Sequence, residues 1–214
     1  MHAIIHLIKF QASNTKNLKM FKDLKLYQIF YDESSKGMIS DGFIGLDNSA
    51  GPSWLYEAFP IYQFIQNSVS LNSDSWLGFF SPKFHSKTNL TSDDIVNTFY
   101  KNRDFCDPFL FSSYWHQAAG NQNVWLQGEN NHPGLLYISQ LLAHKSNYKI
   151  NIKSSITSLQ TAVFSNYFIA NMKFWQEWYR VVSIYFELIK NNQKLLGKNC
   201  YLSRQKHPNT HFCD

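Results

Sequence analysis

Charge is scarce in this chain, and what there is does not cluster. Asp, Glu, Lys and Arg make up 16% of the residues and aromatics 17%, so the surface falls to Asn, Gln, Ser, Thr and Tyr. A surface of that kind suits polar, uncharged ligands. The balance is still basic, +5 at pH 7, which favours phosphorylated ligands or an anionic membrane surface through the summed field. No stretch gathers Lys and Arg into the stripe that binding a nucleic-acid backbone requires. The longest basic neighbourhood, Lys16 to Lys25, is broken by Asn17, Leu18, Met20 and Asp23 and reads as a solvated face. No nucleic-acid partner is expected.

Cysteine is sparse as well. Cys106, Cys200 and Cys213 cannot all pair within one chain, and their spacing matches no secreted disulfide framework. Reduced thiols in a cytoplasm are the simplest account. Cys200, His207, His211 and Cys213 have the ligand types of a zinc site, but the first two lie far apart and no Cys-x-x-Cys supports them. Long apolar runs are missing too. Ala3 to Ile8 is interrupted by His6 and then Lys9 before it reaches signal-peptide length, and nothing approaches the roughly 20 residues of a membrane span. The expectation is a cytoplasmic protein without a transmembrane segment, whose membrane contact, if any, is peripheral.

Several catalytic signatures are absent. There is no Gly-x-Gly-x-x-Gly, no phosphate loop ending in Gly-Lys-Ser or Gly-Lys-Thr, and no Gly-x-Ser-x-Gly. Dehydrogenase, kinase and serine hydrolase chemistry lose their usual support. No Asp-x-Asp follows an apolar run either, so the paired carboxylates that hold Mn²⁺ or Mg²⁺ against a diphosphate are not seen.

What is present is an alternation of short apolar runs and helical patterns. Leu26 to Tyr31 stops at Asp32-Glu33, Trp76 to Phe80 is followed by Ser81-Pro82-Lys83, and Phe109 to Phe111 is followed by Ser112-Ser113-Tyr114-Trp115. Each reads as a buried strand. Helices are predicted from Tyr62 to Gln66 behind Pro60, and from Asp93 to Asn102, where Thr91 and Asp94 form a capping box. Asp93-Asp94 then balances the helix dipole. A third helix is expected from Pro133, burying Leu135, Leu136, Ile138, Leu141 and Leu142. A fourth spans Lys173 to Asn191, with Gln176, Arg180, Ser183, Glu187 and Lys190 on one face and Phe174, Trp178, Val181, Tyr185 and Leu188 on the other. The pattern predicts one α/β domain over 25–196 with a mostly parallel central sheet flanked by helices, an appendage over 1–24 and a polar tail over 197–214.

In open α/β sheets, ligands bind beyond the carboxyl ends of the strands, where loops converge on a rigid frame. Those ends offer Asp32, Glu33, Ser81, Lys83, Ser112, Ser113, Tyr114 and His116, although strand ends are polar also because they meet water. Gly120 to Gly134 is dense in amides, with one carboxylate and one imidazole. Such groups hydrogen-bond sugar hydroxyls, and Glu129 or His132 is suited to act as a general base. The alternative is that this segment only caps and turns the chain into the next helix.

Several segments taken in order resemble a family of bacterial proteins that accompany surface-polysaccharide and glycosyltransferase genes. The carriers are Tyr27 to Glu33, Gly42 to Asn48, Gly78 to Phe84 with Lys87-Thr88, Asn123 to Glu129 with His132 to Gly134, and Val163 to Ile169 with Phe174, Trp175 and Trp178. The layout is similar to that of transferases with a single Rossmann-like nucleotide-sugar domain, the GT-A type. The resemblance implies transfer of a sugar from a nucleotide-diphosphate donor to a glycan acceptor. It implies Tyr31, Asp32 and Asp47 near the nucleotide, Lys83 near the diphosphate, Glu129 and His132 as catalytic groups, and Asn166 and Tyr167 near the sugar or acceptor. Gly45, Ser53, Asn89 and the stretch from Lys198 to Asp214 depart from the family pattern. A shortened C-terminus and a missing Asp-x-Asp leave a non-catalytic carbohydrate- or nucleotide-binding module as the alternative.

Overall fold

The computed structural model describes residues 24–52, 55–68, 74–104, 108–112, 120–130, 132–158, 162–163 and 165–191. All three cysteines, the tail histidines, Ser113, Tyr114 and His116 lie outside the described residues. The chain divides into two compact units, Met1–Tyr114 with Val163–Glu177 and Trp115–Ala162 with Trp178–Asp214.

The first unit is built on a five-stranded sheet. Its strands are β1 (Leu24–Phe30), β2 (Ile44–Asp47), β3 (Trp76–Phe80), β4 (Phe109–Leu110) and β5 (Phe168–Asn171), ordered β2-β1-β3-β5-β4. β1 runs parallel to β2 and β3, whereas β5 is antiparallel to both β3 and β4. The sheet is therefore mixed: β1 to β4 share one direction and β5 alone opposes them. The cause is β5, a strand too short to stand out in the sequence, which enters between β3 and β4 against their direction. β1 itself begins at Leu24, inside the stretch read as an appendage.

Strand alternation sends the core to both faces of the sheet. On one face Leu24, Leu26, Phe80, Phe109 and Ile169 pack with Phe84 of α3 (Phe84–Thr88) and with Ile95 and Phe99 of α4 (Ser92–Asn102). On the other, Tyr27 and Phe79 stack on each other and meet Phe64 of α2 (Ala58–Asn67) at tilted and edge-on angles, while Phe79 meets Trp175 edge-on. Gly78 lets this packing close, since a Cβ there would come within 2.7 Å of the Phe80 ring and 3.1 Å of Ile169. The result is helix, sheet, helix, the α/β layering expected.

Local signals explain most helix starts. Thr91 Oγ1 accepts from Asp94 N at 3.2 Å and Asp94 Oδ2 accepts from Thr91 N at 2.9 Å, the predicted capping box of α4. α2 starts at Ala58, ahead of the predicted start, because Pro60 is tolerated in a first turn whose N–H groups lack helical partners. A four-residue helix, α1 (Glu33–Lys36), follows β1.

The second unit holds α5 (Val124–Glu129), α6 (Leu135–Lys145) and most of α7 (Met172–Asn191). α6 begins two residues after Pro133, behind Gly134 at φ 97°, a left-handed conformation that glycine adopts without strain. The apolar face foreseen for α7, including Phe174 and Trp178, is half-buried, and the buried positions are Met172, Trp175 and Ile189. Among the described residues, no helix is long and apolar enough to cross a membrane.

Candidate functional site

The chain leaves β1 and then forms β2 on one side and β3 on the other, which opens a switch point at the carboxyl ends of these strands. Because β5 is reversed, Tyr167, just ahead of it, reaches the same end. Ser81, just past β3, and Tyr167 share a hydrogen bond of 2.6 Å between their hydroxyls. Tyr31, just past β1, donates its hydroxyl to the Glu57 carboxylate, with Tyr56 and Tyr167 close by. Burial, and then the charge of Glu57, push the Tyr31 phenol well above the usual tyrosine range. It stays a neutral donor at any physiological pH.

The backbone around Glu57 is strained and held. Tyr56 adopts φ 42°, a left-handed conformation that non-glycine residues rarely occupy. The buried Asn48 side chain donates to the Tyr56 carbonyl at 3.1 Å, while Asn48 N donates to Phe30 O at 2.8 Å. Gly51 leaves room for Asn48, since a Cβ there would sit 1.9 Å from Asn48 Oδ1. Strain of this kind persists where surrounding contacts over-determine it, and it clusters at working sites. Gln28, fully buried in β1, donates to Ser81 O at 3.1 Å and Pro82 O at 3.3 Å and accepts from Ser40 N at 2.8 Å. The loop after β3 and the loop before β2 are tied to one side chain.

Of the residues nominated from sequence, Tyr31, Ser81 and Tyr167 belong to this cluster. Asp32 caps α1, accepting from Ser35 N and Ser35 Oγ at 2.7 Å each, and these bonds hold its carboxyl below the usual range. Asp47 ends β2 and accepts from Ser49 N at 2.7 Å, which lowers its pKa likewise. Lys83 is exposed at the N-cap of α3. Asn166 is half-buried, and its carbonyl accepts from Phe168 N at 3.0 Å.

Glu129 and His132 belong to the second unit. Both Glu129 oxygens accept backbone N–H groups, from Gly134 at 2.8 Å and Leu136 at 2.7 Å, so this carboxylate caps the start of α6. His132 lies in the turn between α5 and α6, where its backbone N donates to Gly128 O at 2.8 Å.

No protein-family profile, curated protein or solved structure matches the chain. The site is defined by its own geometry, and three of its members escaped sequence reasoning. Gln28 is hidden inside an apolar run. Asn48 closes Gly42 to Asn48, a segment that carries the resemblance without giving Asn48 a role. Glu57 is a lone acid following Trp54-Leu55-Tyr56, and that setting was the one local sign of it.

Among the described residues, no three His, Cys, Asp or Glu side chains gather into a group able to hold a metal ion. Asp32, Asp47 and Glu57 are each engaged by a neighbouring hydroxyl or N–H. Among the described residues these three carboxylates do not gather into one group. The cluster offers instead a carboxylate able to take a proton and partly buried hydroxyls able to orient sugar or phosphate oxygens.

Proposed function

We propose that this chain is a glycosyltransferase-like protein of GT-A type, acting in the cytoplasm to move a sugar from a nucleotide-diphosphate donor to a glycan acceptor of surface-polysaccharide synthesis. The observation that carries the reading is the convergence of Tyr31, Glu57, Ser81 and Tyr167 at the carboxyl ends of β1 and β3. That is where open α/β sheets bind nucleotides. Asp47 and Lys83, at the ends of β2 and β3, border the same strand ends, and Lys83 suits a diphosphate.

In the transfer, an acceptor hydroxyl oxygen bonds to the anomeric carbon as the bond from that carbon to the diphosphate oxygen breaks. The nucleoside diphosphate leaves with the electron pair, and the hydroxyl proton passes to a carboxylate. Glu57 takes this role, because Glu129 is committed to the backbone of α6. The neutral Tyr31 donor then fixes the Glu57 carboxylate, as a base must be fixed by a third group.

Turnover and thermal shift should be measured across UDP, GDP and CMP sugars with the full chain. Glu57→Gln should cut turnover by about a hundredfold or more while donor binding persists. No turnover and no thermal shift with any donor removes the reading. The engagement of Glu57 by Tyr31 also suits a non-catalytic nucleotide- or carbohydrate-binding module, and thermal shift without turnover would select it.

A further inference from the structure

Glu129 and Glu177 bracket a long stretch without a single Asp or Glu, which contains Lys145, Lys149, Lys153 and Lys173. Most of it forms α6 and the segment after it, within the second unit. After α6, Asn147 turns the chain at φ 63°, and Tyr148 N donates to Ala143 O at 2.8 Å. The chain then returns along the helix under close restraint. Gln140 donates to Ile150 O at 2.9 Å and accepts from Ile152 N at 2.9 Å. Asn123 donates to Ile152 O at 3.0 Å and to Ser155 O at 2.9 Å.

These bonds hold apolar side chains outward rather than in a core. Tyr137 is 58% exposed, Tyr148 47% and Ile150 42%. Tyr137 and Ile150 line, with Leu136, Gln140, Asn151 and Lys153, one shallow groove of about 460 Å³. Lys149 is exposed beside Ile150, and Lys145 ends α6. The surface thus combines tyrosines, an aliphatic tip and lysines, while the acid next to it, Glu129, has both oxygens bonded to the backbone at Gly134 and Leu136.

We infer that this face docks the protein peripherally on an anionic lipid surface. Tyrosine places an apolar ring and a polar hydroxyl at headgroup depth, and isoleucine enters the acyl boundary. Lysine keeps its charge among the phosphates while its stem lies on apolar ground. Each lysine close to an anionic surface strengthens attachment by about fivefold. The alternation Tyr148, Lys149, Ile150 and then Lys153 sets single apolar side chains between cations, which fits a headgroup layer better than it fits a continuous protein interface. The inference is independent of the transferase reading.

Sedimentation of the full chain with phosphatidylcholine vesicles, with and without phosphatidylglycerol, tests it. Binding is expected only with phosphatidylglycerol present and should weaken as salt rises. Ile150→Asp should abolish it. Lys149→Gln with Lys153→Gln should weaken it by about 25-fold, whereas Lys25→Glu, on the other unit, should leave it close to wild type. Circular dichroism verifies that each variant is folded. Equal binding to both vesicles, binding indifferent to Ile150→Asp, or equal weakening by Lys25→Glu overturns the inference. So does failure to bind either vesicle, which would leave the face to an acidic protein.

Discussion

Tyr31 donates its hydroxyl to the carboxylate of Glu57, joining the end of β1 to the residue that precedes α2. The two are far apart in sequence, and each answers the other's need. A half-buried carboxylate gains from a donor, and a phenol beside an anion keeps its proton. The pair also anchors the segment in which Tyr56 holds its left-handed backbone.

Alkaline stability should report this pair. Tyr31 has a raised pKa in the folded protein, so its contribution is complete below about pH 10, the ordinary tyrosine value. Above that the unfolded chain ionises first, and stability declines until the folded phenol titrates. Urea midpoints at about pH 9 and about pH 11 should fall less in Tyr31→Phe than in wild type. Some decline should remain, because burial raises Tyr27 as well. Identical declines would show that Tyr31 ionises normally.

Near neutral pH, Tyr31→Phe leaves Glu57 without this donor and should cost about 1–3 kcal/mol. Replacing Glu57 with Gln at the same time should restore part of that loss. A double-mutant cycle from denaturant unfolding measures the coupling, and additive effects would argue against a direct bond.

Glu129→Ala should lower stability by about 1–2 kcal/mol, because two N–H groups at the start of α6 lose their acceptor. Glu129→Gln keeps one acceptor oxygen and should lose about half as much. Neither should alter turnover beyond the stability effect. A stable Glu129→Gln protein without turnover would return the base to Glu129.

Asn123→Ala removes an N-cap bond to Leu126 N at 2.8 Å together with the bonds that restrain 152–155. The expected cost is about 2–4 kcal/mol. Amide exchange should accelerate at Ile152 and Thr157, whose N–H groups bond to Gln140 Oε1 and Gln122 O. Unchanged exchange there would mean that Gln140 and Gln122 suffice.

Trp175→Phe should cost about 1–3 kcal/mol, since the fully buried indole donates to Leu77 O at 3.0 Å. Trp175→Ala should cost about 3–5 kcal/mol. Thermal unfolding separates the two.

The elements legible in sequence were those whose cause is local. β1 and β3 are unbroken apolar runs, and the capping box at Thr91 and Asp94 specifies α4 within four residues. β2 was not legible, because Ile44-Gly45-Leu46 is a short edge strand with Ile44 half exposed. β5 is four residues long and draws its identity from its neighbours β3 and β4. Trp175 escaped the face assigned to its helix because tertiary contact with the sheet, not helical periodicity, buries it. The candidate site was half legible for the same reason. Strand-end logic located Ser81, while Tyr31 and Tyr167 entered by resemblance. Glu57 and Gln28 owe their places to contacts across the fold.

Gln28 carries the longest consequence. A single amide inside the sheet ties the loop after β3 to the loop before β2, so both loops take their form when the chain folds. Loops held in this way have little conformational freedom to lose on association, which is how preorganisation strengthens affinity.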